Sequence, residues 1–187
     1  MKLALLRHAI SISLLAVPAA VEAKAITYDC DTAANRFSEL ILPADGIPFT
    51  VSGNVKLNAL AESATYAPVA RVQIATSTMP GEFPDVYAGF ALFSLPADTG
   101  KTPLGSPAVQ MLSYSVSGKE DEVLPRSMMT KLGAIQSFGL SYDGNNVIVN
   151  LGDNSKTFPL NITNPVVRLV CSTGEFVFTD LTITSSK

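Results

Sequence analysis

Two acids one residue apart, Glu120 and Glu122, form a carboxylate pair with a spacing that could do acid–base chemistry. On a strand both would project from one side, roughly 6–7 Å apart, between the separations used by retaining and inverting glycoside cleavage. They sit, however, in the run Gly118-Lys119-Glu120-Asp121-Glu122, whose composition is that of a solvated turn of like charges. Our first reading therefore assigns no catalytic residue and keeps Glu120 and Glu122 as the alternative. Nucleophilic catalysis through imidazole is excluded from the mature chain, because the single histidine, His8, lies in the N-terminal leader described below. Zinc and copper sites, which draw on His and free Cys, are disfavoured for the same reason.

Binding chemistry has better material. A sugar is commonly held by an aromatic plane with polar neighbours for its hydroxyls. The chain has no Trp, so the planes available are Tyr66, Tyr87 and Tyr114. Arg71 and Gln73 alternate with Ala70, Val72 and Ile74, which places both on the polar face of a half-buried strand. Arg71, Gln73 and Tyr87 are the predicted ligand-binding residues. Tyr142 shares a face with Phe138 and Leu140 and reads as core. No cofactor or metal is required by these residues. Calcium is the one ion the loops suggest, at Asp143-Gly144-Asn145-Asn146 or Gly152-Asp153-Asn154, although both also suit tight turns for backbone reasons. Asn161-Ile162-Thr163 matches the acceptor pattern for N-glycosylation, which matters in a eukaryotic secretory pathway.

These residues must be carried by an exported domain. Lys2 and Arg7 precede an apolar stretch at residues 9–21, and small residues follow, as in a secretory leader cleaved after Ala23 or Ala25. The stretch is interrupted by Pro18 and is too short to span a bilayer. The expected product, residues 26–187, is secreted or periplasmic, with no membrane insertion. In that oxidising setting Cys30 and Cys171, the only cysteines, are expected to pair. A bridge closing nearly the whole mature chain stabilises by about 4–5 kcal/mol in the chain-entropy model, an upper figure. Cleavage after Ala25 removes three cations and one carboxylate, so the formal charge moves from −3 to −5. A mildly acidic chain without a basic run has no electrostatic reason to bind nucleic acid.

The elements are short alternating runs broken by Gly, Pro, Asn and Asp. Val51, Val55 and Leu57 mark one strand, and Ala70 to Ile74 a second. Residues 85–95 are apolar on both faces, as in a central strand, and residues 109–116 form another. Phe138-Leu140-Tyr142 and Val147-Val149-Leu151 flank an Asp-Gly turn and predict a hairpin. Val167, Leu169 and Cys171 form an inward face. Phe176 and Phe178 are out of phase with Leu181 and Ile183, which one extra residue near Thr179-Asp180, a β-bulge, would correct. Residues 126–134 suit one short helix, and residues 96–107 a surface loop. Such strands without alternating helices predict a single all-β domain, an antiparallel two-sheet sandwich.

The C-terminal third resembles the concanavalin A-like lectin/glucanase jelly roll. The residues that carry it are Phe138-x-Leu140-x-Tyr142-Asp143-Gly144, Val147-x-Val149-x-Leu151, Val167-x-Leu169-x-Cys171-x-Thr173-Gly174-x-Phe176-x-Phe178 and Leu181-x-Ile183. The resemblance implies a strand closing beside the N-terminal one, which suits Cys30 meeting Cys171. Glucanases of that superfamily carry Glu-x-Asp-x-Glu on one strand, a spacing that Glu120-Asp121-Glu122 lacks. The first functional reading is a non-catalytic module that binds glycan or another cell-surface ligand, as a monomer or weak oligomer. A polysaccharide hydrolase or lyase of the same fold is the second, and a pilin-like structural subunit the third.

Overall fold

The computed structural model describes residues 25–61, 66–96, 108–124 and 133–185. The leader, nearly all of the helix expected at 126–134 and nearly all of the loop expected at 96–107 lie outside them. Among the described residues there is no helix, and none long and apolar enough to cross a membrane. The ten strands are β1 (Ile26–Pro43), β2 (Phe49–Leu60), β3 (Val69–Thr76), β4 (Tyr87–Pro96), β5 (Ala108–Val116), β6 (Glu122–Val123), β7 (Gln136–Tyr142), β8 (Asn146–Leu151), β9 (Asn154–Pro159) and β10 (Pro165–Ser185). All pair antiparallel, in the order β6-β5-β4-β3-β10-β2-β7-β8-β9, with β1 also on β10.

β10 divides this path into two layers. Its residues 165–172 pair with β3 and with residues 37–43 of β1, while residues 174–185 pair with β2 and with residues 26–32 of β1. Both strands turn the corner at left-handed residues, Asn35 (φ 61°) and Thr173 (φ 60°). The Thr32 hydroxyl serves both sides of the bend, donating to the Gly174 carbonyl at 2.9 Å and accepting from the Gly174 N–H at 3.2 Å. The first layer is thus β6-β5-β4-β3-β10-β1 and the second β1-β10-β2-β7-β8-β9.

Alternation decides which face is dry. Ala70, Val72 and Ile74, Phe90 and Leu92, Leu112 and Tyr114, and Val167 and Leu169 point inward from the first layer. Val51, Val55 and Leu57, Leu140 and Tyr142, Val147 and Val149, and Phe176 and Phe178 meet them from the second. Phe90 and Phe138 cross between layers with ring centroids 5.2 Å apart. Cys30 and Cys171 are bridged inside this core, Cα to Cα 6.3 Å, and both are fully buried. The expected bulge is present. Register moves from Thr179↔Asn54 to Thr182↔Ser52, one residue extra, with Asp180 left-handed at φ 53°. Phe176, Phe178 and Leu181 are all fully buried as a result. The hairpin between β7 and β8 turns on Gly144-Asn145, with positive φ at Gly144 (104°), one residue later than an Asp-Gly centre.

Candidate functional site

The outward face of the first layer is where polar side chains converge. On β3 the inward residues alternate with Val69, Arg71, Gln73 and Ala75. Register places Gln73 between Gly89 of β4 and Arg168 of β10, and Arg71 between Ala91 and Val170. Ser113 and Ser115 of β5 continue these rows, and Tyr87, opposite Ala75, lies on the same face. The three predicted ligand-binding residues, Arg71, Gln73 and Tyr87, therefore share one surface. Gly89 permits this packing: a Cβ there would lie 2.0 Å from the Val72 carbonyl oxygen, so no larger residue fits without moving a strand.

This outward face is dry, with Gln73, Ala91, Ser113 and Ser115 fully buried, so its charges act at low dielectric. Arg71 donates through Nη1 to Ser115 Oγ at 2.5 Å and to Asp121 Oδ2 at 3.3 Å. Arg168, only 2% exposed, donates through Nε and Nη2 to Glu39 Oε2 at 2.9 and 2.7 Å. Glu39 Oε1 accepts a 2.5 Å bond from the Gly81 N–H. Burial pushes the Glu39 carboxyl up, but the Gly81 N–H and the Arg168 guanidinium outweigh it and hold the group below its ordinary value. The Phe83 ring lies over Arg168, 4.9 Å from the guanidinium carbon. Gln73 was expected on an open polar face and is instead fully buried. Neither side-chain atom of Gln73 is hydrogen-bonded, nor is Arg168 Nη1 or Ser113 Oγ. Buried polar groups in folded proteins almost always have partners, and each exception costs about 1–3 kcal/mol. Donors and an acceptor held unpartnered on one face suit a ligand rich in hydroxyl and carboxylate oxygens.

The remaining candidates lie elsewhere. Glu120 is exposed in the turn after β5, and Glu122, on β6 opposite Tyr114, is ion-paired with Lys156 of β9. The intervening Asp121 is the acid that reaches Arg71. Tyr114 is buried in the core, its ring 5.4 Å from that of Phe158, and Tyr142 is core as expected. Asp143 spends Oδ1 on the N–H groups of Asn145 and Asn146, both at 2.7 Å, which lowers its pKa and gives it a turn-forming role. Among the described residues no group of three or more His, Cys, Asp or Glu side chains is placed to hold a metal. A cavity of about 210 Å³ opens beside Thr50, Ser141 and Tyr142 on the other layer, where Thr50 and Ser141 bond to each other at 3.0 Å. Sequence reasoning missed Glu39 and Arg168. Their signal was a single charge inside each of two apolar runs, Phe37-Ser38-Glu39-Leu40-Ile41-Leu42 and Val166-Val167-Arg168-Leu169-Val170.

No protein-family model matches the chain, and no curated protein matches it at a significant level. Solved structures do resemble it. A marine PL7 alginate lyase from Zobellia galactanivorans superposes with a TM-score of 0.52 at 12% identity, over 87% of this chain and 78% of that one. An alginate lyase from Alteromonas sp. 272 gives 0.50 at 10% identity, over 89% of each chain. The fold is the concanavalin A-like jelly roll. A toad ovary galectin in complex with thio-digalactose is also similar, with a TM-score of 0.43 at 8% identity over 79% of this chain and 98% of that one. At these identities the likeness to the two lyases shows the fold alone. Activity must be argued from its own residues.

Proposed function

We propose that this chain is an exported, non-catalytic jelly-roll module, secreted or periplasmic, that binds glycan through the outward face of its first layer. The observation carrying this reading is the set of buried, unpartnered polar atoms on Gln73, Arg168 and Ser113 beside Arg71 and Tyr87. An arginine fork and a primary amide recognise hydroxyl and carboxylate oxygens with directional bonds. Tyr87, half-buried at the edge of the face, supplies the aromatic surface for a sugar ring. The Cys30–Cys171 bridge agrees with export into an oxidising compartment.

The test is binding of the oxidised chain, residues 26–187, to a glycan array with calcium and again with a chelator. The array should include alginate oligomers and thio-digalactose, the sugars named with the structural neighbours. Saturable binding to one glycan class is expected, and a chelator-sensitive signal would add calcium to the site. Bound polymer that shortens and gains unsaturated ends would instead identify a lyase. Absence of binding under both conditions, with concentration-dependent polymers in solution, would favour a structural subunit.

A further inference from the structure

Between β3 and β4 the chain makes an excursion, residues 77–86, that folds back over the proposed glycan face. The excursion is a unit in itself. Glu82 N–H donates to the Met79 carbonyl at 3.1 Å, and the Thr78 hydroxyl donates to the Glu82 carbonyl at 3.3 Å. Its base is closed by the Thr76 N–H on the Val86 carbonyl at 3.2 Å. Its tip meets the sheet at two points, the Gly81 N–H on Glu39 and the Phe83 ring on Arg168. Apolar burial holds it weakly: Pro84 alone among residues 77–86 is buried, while Met79 and Phe83 remain 68% and 65% exposed. Segments with few buried apolar contacts open at a small fraction of the global unfolding free energy. Beneath the tip lies Arg168, with Nη1 unpartnered, and beside it on β3 is its cross-strand neighbour Gln73, with both side-chain polar atoms unpartnered.

We infer that loop 77–86 is a lid, latched on Glu39 and Arg168, and that ligand reaches Arg168 and Gln73 only with the lid raised. This rests on the reading of the face as a glycan site and assigns that site its gate. Closed, the lid leaves floor groups unsatisfied. Raised, it exposes them to partners that the ligand supplies, so ligand affinity for the raised state draws the equilibrium over. Glu39 occupies one edge of the Arg168 guanidinium and leaves the Nη1 side for the incoming group.

The lid is tested first without glycan. Phenylglyoxal modifies accessible arginines, and peptide mass spectrometry reads Arg168 separately from Arg36 and Arg71. Gly81→Ala leaves Phe83 in place and meets no atom in the closed form, since nothing lies within 4 Å of a Cβ there. It does impose a side chain on a left-handed residue, φ +84°, which should favour the raised state by roughly five- to thirtyfold. The expected result is Arg168 modification accelerated by that factor while hydrogen exchange at the Leu169 amide is unchanged. Arg168 modification that keeps step with Leu169 exchange in both proteins would show a fixed cover and overturn the lid. The second arm uses Phe83→Trp, the only tryptophan in the chain, whose emission should shift at saturating concentrations of the array-selected glycan. Saturable binding with no shift would overturn the coupling of lid to ligand. Failure to bind any glycan, with Arg168 still accelerated, would overturn the functional reading and leave the lid supported.

Discussion

Gln73 should be a residue whose removal strengthens the fold and destroys the function. Its amide is fully buried, and neither Nε2 nor Oε1 has a hydrogen-bond partner. Each such group carries a desolvation cost of about 1–3 kcal/mol. Leu has nearly the same volume and no polar atom, so Gln73→Leu removes the cost and keeps the packing against Gly89 and Arg168. Counting one group's worth, to allow for partial relaxation, the gain is about 1–3 kcal/mol. For a chain of this size that corresponds to a rise in melting temperature of roughly 3–9 °C. The assay is differential scanning calorimetry of both oxidised proteins, followed by glycan titration of the same samples. A higher melting temperature with binding lost is the expected pair. A melting temperature lowered by a similar amount would show that the amide is satisfied in solution and refute the premise. Higher stability with binding intact would remove Gln73 from the site.

Three further outcomes follow from the packing. Reducing Cys30–Cys171, whose loop spans 141 residues, should lower stability by up to about 4–5 kcal/mol, read from urea melts with and without dithiothreitol. Gly89→Ala should be among the most damaging small substitutions, costing about 3 kcal/mol or more, because its Cβ would overlap the Val72 carbonyl; near-normal melting would contradict the strand spacing. Glu39 has a carboxyl pKa lowered in the fold, so its contribution is fully present above the ordinary value of 4.5 and is lost as pH falls through the lower folded value. Stability of Glu39→Gln measured from pH 7 down to pH 2 should therefore lack part of the acid-side fall seen in the parent chain.

Much of the architecture was legible because it rests on period-two alternation. Val51 to Leu57, Ala70 to Ile74 and the β7–β8 hairpin announce which face is dry, and the phase slip between Phe178 and Leu181 announces the bulge at Asp180. The long edge strand β1 was not legible as one element. Its alternation is broken at residues 33–36, where Asn35 turns left-handed to follow the corner in β10. β9, Asn-Ser-Lys-Thr-Phe-Pro, carries one buried side chain, Phe158, and so gives no periodic signal. At the site, Arg71 and Gln73 were legible as residues of one face because strand parity is local, whereas Tyr87 joins them only through the β3–β4 register. Glu39 and Arg168 were not, since what joins them is register between segments 129 residues apart. Burial of Gln73 was unreadable for a related reason: alternation says which face a side chain takes, not what packs over that face.

The central claim is that the outward face of the first layer holds the ligand, and residue-resolved NMR of the labelled chain with the array-selected glycan tests it most directly. The account predicts saturable shifts confined to Arg71, Gln73, Tyr87, Ser113 and Arg168 and to loop 77–86 above them. Shifts centred instead on Thr50, Ser141 and Thr184, around the cavity of the second layer, would contradict it.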